Sequence, residues 1–105
     1  MRKKVSETGH FSDPGLLILS SLMSGPKHGY AMMQDIDEFS GIKLEPGTLY
    51  GAIARLETRG WIEPVPSEDR RRPYRLTGAG VGALRDQLAT LQRVVSTGQE
   101  RLFPA

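Results

Sequence analysis

The chain has no cysteine, so disulfides and thiolate metal sites are ruled out, and its two histidines, His10 and His28, stand too far apart to suggest zinc. Neither a metal nor another cofactor is expected. No apolar run approaches the roughly 20 residues that span a bilayer. The opening Met-Arg-Lys-Lys leads into Val-Ser-Glu-Thr-Gly-His rather than the apolar core of a signal peptide. The expectation is a cytoplasmic protein with no membrane partner. No nucleophile, base and orienting group can be assembled from the residues present, so an enzyme is not expected and no catalytic residue is assigned. Charge excess is small, +2 over 105 residues, although the sequence pI of about 9.2 is basic. What matters is where the charge sits, and it clusters at Arg2-Lys3-Lys4 and Arg70-Arg71-Arg72. The length fits one domain with one small core.

What the chain does have is a well-punctuated helix from Pro46 to Gly60. Proline at the first helical position loses no hydrogen bond, and glycine can take the left-handed conformation that closes a helix. Leu49, Ile53, Leu56 and Gly60 fall on one face. The other carries Thr48, Tyr50, Gly51, Ala54, Arg55, Thr58 and Arg59. Hydroxyls, guanidinium groups and small side chains suit a nucleic-acid groove; an arginine-rich solvated helix is the plainer alternative.

Taken in order, residues 1–11 read as a flexible basic arm. Ser12-Asp13-Pro14 offers a cap for a first helix with Leu16, Leu19, Leu22 and Met23 inward, stopped at Gly25-Pro26. A second helix starts near His28, with Tyr30, Met33, Ile36 and Phe39 as its apolar face, Asp35, Asp37 and Glu38 outward, and Gly41 as its stop. Ile42-Lys43-Leu44 reads as one extended rung before the third helix. Trp61-Ile62-Glu63-Pro64-Val65 and Tyr74-Arg75-Leu76 are strand formers around a basic tip, a β-hairpin whose first strand is kept short or at an edge by Pro64. Trp61 is expected partly buried beneath the hairpin. Thr77 caps a final helix, weakened at its start by Gly78 and Gly80, regular from Val81 to about Thr97 and broken at Gly98.

The fold class is therefore mainly α with a small β-hairpin: a winged helix-turn-helix plus a C-terminal dimerisation helix. The boundaries are a basic arm at 1–11, a winged-helix DNA-binding domain at 12–77, a dimerisation helix at 78–98 and a tail at 99–105. Leu-Leu-Ile-Leu-Ser-Ser-Leu (16–22), Gly25-Pro26, His28-Gly29-Tyr30, Pro46-Gly47-Thr48-Leu49-Tyr50, Arg55-Leu56-Glu57, Gly60-Trp61-Ile62 and Arg72-Pro73-Tyr74-Arg75-Leu76-Thr77 together resemble the PadR-like transcriptional regulators, the phenolic acid decarboxylase repressor family. The resemblance covers residues about 14–80. It implies a bacterial winged-helix regulator of a family whose members are usually homodimeric, mostly repressors, and in many cases released from DNA by a small molecule, so that an effector of unidentified chemistry is a further partner the resemblance allows. By position it also implies that Tyr30 and Gly47-Thr48-Leu49-Tyr50 approach DNA. Where members often carry serine before the proline, this chain has Glu45, a poorer cap whose charge is unwelcome near a phosphate.

The expected DNA-binding residues are Tyr30, Gly47, Thr48, Tyr50, Arg55, Arg70, Arg71 and Arg72. Free N–H groups at the start of the third helix favour phosphate, and Arg55 is the candidate for a base edge. The three wing arginines follow Glu68-Asp69 and can also be read as a self-neutralised loop, but a hairpin tip beside a recognition helix favours DNA contact. In the final helix Val81, Leu84, Leu88, Leu91 and Val95 keep one apolar stripe in line. Val81 and Leu84 suit packing within the domain, and Leu84, Leu88, Leu91 and Val95 form the expected dimer interface. The implied partner is double-stranded DNA carrying an inverted-repeat operator. The competing function is a winged-helix protein-interaction module without groove contacts.

Overall fold

The computed structural model describes residues 13–68 and 70–104, and the expected arm at 1–11 lies outside the described residues. Where helices begin and end follows the local chemistry. Asp13 accepts from Leu16 N–H at 3.1 Å and starts α1 (Pro14–Leu22). His28 Nδ1 accepts from Ala31 N–H at 3.3 Å and starts α2 (Gly29–Ser40), which Gly41 closes at φ 77°. Glu45 makes no capping bond, so α3 (Pro46–Thr58) relies on Pro46, and Gly60 turns the chain out at φ 78°. Then come β1 (Ile62–Pro64), β2 (Tyr74–Leu76) and α4 (Gly78–Leu102).

The core is built around α1. Its Leu16, Leu17, Ile18, Leu19 and Leu22 are all buried, the signature of a helix enclosed on every side. Met32 and Ile36 of α2, Leu49, Ala52, Ile53 and Leu56 of α3, Ile62 of β1 and Leu84 of α4 pack around it. Each fully buried side chain of this size contributes about 1.5–3 kcal/mol, which makes this cluster the main support of the domain.

The face of α2 differs from the expected one. Gly29, Met32 and Ile36 are buried and Met33 is half-buried, whereas Tyr30 and Phe39 are 58% and 50% exposed. Successive steps of three residues lag behind the helical period, so Tyr30 and Phe39 end up about half a turn apart and cannot share a face. Spacings of three and then four, from Gly29 through Met32 to Ile36, hold the line. Asp35 also turns inward, because the buried Ser21 hydroxyl of α1 donates to it at 2.7 Å.

The sheet is antiparallel, with Ile62 opposite Leu76, Glu63 opposite Arg75 and Pro64 opposite Tyr74. Its further rung does not come from Ile42-Lys43-Leu44, where the chain forms no strand and Leu44 simply enters the core. It comes from Lys27, whose N–H donates to Tyr74 O at 3.1 Å and whose carbonyl accepts from Tyr74 N–H at 3.0 Å. The turn between α1 and α2 thereby holds the inner strand of the wing. Lys27 Nζ ties that turn down, donating at 2.6 Å to both the Ser21 carbonyl and Ser24 Oγ.

Thr77 caps α4 as expected, accepting from Gly80 N–H at 3.1 Å. The helix does not break at Gly98 but continues to Leu102. Glycine inside a helix costs about 1 kcal/mol relative to alanine yet ends one only where the chain turns left-handed, and Gly98 has no positive φ. Gly80 is a necessity rather than a weakness, since a Cβ there would strike the Trp61 carbonyl oxygen and lie 2.9 Å from its carbon. Its absence lets the first turn of α4 lie directly on the chain entering the wing.

Candidate nucleic-acid interface

One face of α3 is committed to the core through Leu49, Ala52, Ile53 and Leu56, which leaves Thr48, Tyr50, Ala54, Arg55, Glu57, Thr58 and Arg59 exposed. Ala54, Arg55, Thr58 and Arg59 border a shallow groove along this face. Arg55 runs back along the helix, its Nη1 3.6 Å from where a Cβ on Gly51 would sit, an ordinary contact distance. Gly47 stands exposed at the helix start with open space around it, where the first N–H groups of α3 have no helical acceptor.

The two turns that begin α2 and α3 meet. The Tyr50 hydroxyl lies against Gly29, while the residue as a whole is 53% exposed. Tyr30, the next residue along, is equally open, and its hydroxyl accepts from Gln34 Nε2 at 3.3 Å. Tyr30 and Tyr50 are therefore both exposed near the junction of the two helices. The role of Gly29 is not apparent from spacing; its only sequence signal is a glycine in the second position of His28-Gly29-Tyr30.

Arg70, Arg71 and Arg72 are exposed at the wing, framed with Pro64, Val65, Pro66, Ser67 and Pro73 around an open groove. Prolines at 64, 66 and 73 restrict the two approaches to this tip. Arg75 is not part of the basic cluster: it pairs with Glu63 across the strands at 2.8 Å. Trp61 is half-buried as expected, and the Arg59 guanidinium lies 5.1 Å from its ring centroid, within cation–π range. Among the described residues no three histidines, aspartates or glutamates gather as a metal site. Nor is any helix of the described residues long and apolar enough to cross a membrane.

The stripe on α4 divides. Leu84, expected at the dimer interface, is 3% exposed and belongs to the domain's own core, because the first turns of α4 lie over α1. Leu91 is partly buried against that core. Leu88 and Val95, each 46% exposed, remain uncovered, together with Val94, Leu102 and Phe103.

The model of the transcriptional regulator PadR-like family matches residues 18–86. An uncharacterised 37.1 kDa protein in transposon TN4556 of Streptomyces fradiae is 41% identical over 93 residues, which cover 89% of this chain and 27% of that protein. The chain thus spans only about a quarter of that relative's length. Transcriptional regulator Rv3488 of Mycobacterium tuberculosis is 37% identical over 90 residues, covering 80% of this chain and 83% of the relative. The crystal structure of a PadR family transcription regulator from Clostridium difficile superposes with a TM-score of 0.78 at 25% identity, over 86% of this chain and 98% of the other. A PadR family regulator from Eggerthella lenta gives 0.75 at 29% identity, over 87% and 82%.

Proposed function

Because the chain belongs to the PadR-like family of transcriptional regulators, a family of DNA-binding winged-helix proteins, we propose that it acts as a homodimeric repressor of its own target promoter. The α3 face enters a major groove, with Arg55 at a base edge and Thr48, Tyr50 and Tyr30 on the flanking phosphates. Residues 61–76 reach the neighbouring backbone or minor groove through Arg70, Arg71 and Arg72. The uncovered stripe of α4 pairs with a second copy and sets two copies of α3 about 34–36 Å apart, one helical turn of DNA, for an inverted-repeat operator. Occupying that operator excludes polymerase.

The observation that carries this reading is the exposed face of α3, which gathers Thr48, Tyr50, Arg55, Thr58 and Arg59, with Glu57 as the one exposed acid of the helix. A small-molecule effector would bind between the subunits, since a domain of this length has little interior to spare. No tryptophan follows Trp61, so an aromatic slot between the last helices would need other residues.

Fluorescence anisotropy with the DNA upstream of the protein's own gene, against a shuffled duplex of equal length, tests the reading. Saturable binding of the first and not the second supports it. Absence of binding to either duplex at low salt would instead favour a winged helix used to bind protein.

A further inference from the structure

Gly29 is a glycine that its own backbone does not require. It is the first residue of α2, directly behind the His28 cap, and its φ is not positive, so any ordinary residue fits its torsions. Alanine would also favour the helix. What alanine would change is space. A Cβ at Gly29 would fall on the Tyr50 hydroxyl, 2.7 Å from Cζ and 2.9 Å from Cε1, inside any ordinary contact distance. The edge of the Tyr50 ring occupies the volume that a side chain on Gly29 would fill.

Were Tyr50 a core residue, packing alone would explain this fit. It is instead 53% exposed on the outer face of α3. One edge of the phenol is seated on α2, at the junction of the two helices, while the residue stays exposed. The glycine thus makes room for a ring that contributes little to the core.

We propose that Gly29 is a positioning residue for DNA binding: by lacking a side chain it lets the first turn of α2 hold the Tyr50 phenol at the surface that meets the DNA backbone. This rests on the reading of the α3 face as the DNA interface. An exposed tyrosine free to turn about its side-chain torsions must be ordered when DNA binds, at a cost to affinity. Seated on Gly29, it is ordered already. The glycine gives up helix propensity to preorganise a contact, a trade of stability against function.

Gly29→Ala should therefore weaken binding without weakening the fold. The ring can swing outward about its own torsions, so the fold should survive, with a melting temperature unchanged or raised. Affinity for operator DNA should fall about 3- to 10-fold, the equivalent of freeing one such side chain. In a Tyr50→Ala background the same substitution should change affinity less than about 2-fold, since no ring remains to position.

A measurement without DNA tests the seat itself. The chain has three tyrosines, so the 19F spectrum of protein labelled with 3-fluorotyrosine is simple, and Tyr50→Phe assigns the Tyr50 resonance. Gly29→Ala should shift that resonance while leaving that of Tyr74 in place. A Tyr50 resonance that does not move, a Gly29→Ala chain that fails to fold, or an affinity loss that persists in the Tyr50→Ala background overturns the proposal. If the resonance moves but wild-type protein binds no DNA, the reading of the interface fails, and the role of Gly29 in DNA binding falls with it while the seat stands.

Discussion

The Ser21 hydroxyl on α1 donates at 2.7 Å to Asp35 on α2, at a point where Ser21 is 1% exposed. Lys27 completes the group, 4.0 Å from the same carboxylate oxygen and bonded to the Ser21 carbonyl. Asp35→Ala leaves that buried hydroxyl without its acceptor. Such a loss costs about 1–3 kcal/mol, and the lower part of the range is expected because a helical serine can turn back to the carbonyl of the preceding turn. Urea denaturation should show an earlier midpoint at unchanged slope. An unmoved midpoint would mean that the hydroxyl had found that carbonyl at no cost.

Two glycines in α4 should respond oppositely to alanine. At Gly80 the new methyl meets the Trp61 backbone, 2.9 Å from its carbonyl carbon and 3.2 Å from its Cα, and backbone cannot step aside as a side chain can. A loss of about 1–3 kcal/mol follows. At Gly82 nothing lies within 4 Å of the added Cβ, and the gain in helix propensity should stabilise the chain by about 0.5–1 kcal/mol. Thermal melts of the two variants compare them directly, and equal shifts would contradict the packing of α4 on the wing entry.

Arg71 and Arg72 test the wing. Each phosphate neutralised on duplex DNA adds about −0.9 to the slope of log K against log salt, so the double alanine variant should flatten that slope by up to about 2 units. Anisotropy titrations at several salt concentrations measure it. A slope equal to that of the wild type would remove these two side chains from the interface.

Leu88 and Val95 are the positions on which to test the proposed dimer, because each is 46% exposed while Leu84 and Leu91 also support their own domain. With its 25 residues α4 is about 38 Å long, further than so small a core can cover. Leu88→Glu combined with Val95→Glu should give a folded monomer in sedimentation that no longer binds DNA specifically. A variant that still sediments as a dimer would move the interface to other residues.

Punctuation was legible in the sequence. Asp13, His28, Gly41, Pro46, Gly60 and Thr77 mark where helices start or stop because caps, prolines and left-handed glycines act within a turn of the chain. The inward Leu49, Ile53 and Leu56 of α3 and the short antiparallel hairpin followed from spacing and residue type, although Gly60, expected on the same inward face, is exposed. Three things depended on residues distant in sequence meeting in space. The buried face of α2 was decided by its packing against α1, which draws in Met32 and Asp35 and leaves Tyr30 and Phe39 outside. Lys27 became the rung beside β2 because the folded domain brings the α1–α2 turn against Tyr74. Gly80 and Gly29 look alike as helix-weakening residues in the sequence, yet one lies against the Trp61 backbone and the other against the Tyr50 ring. Local propensity reports what a glycine costs its own helix; only the tertiary structure shows what its missing side chain makes room for.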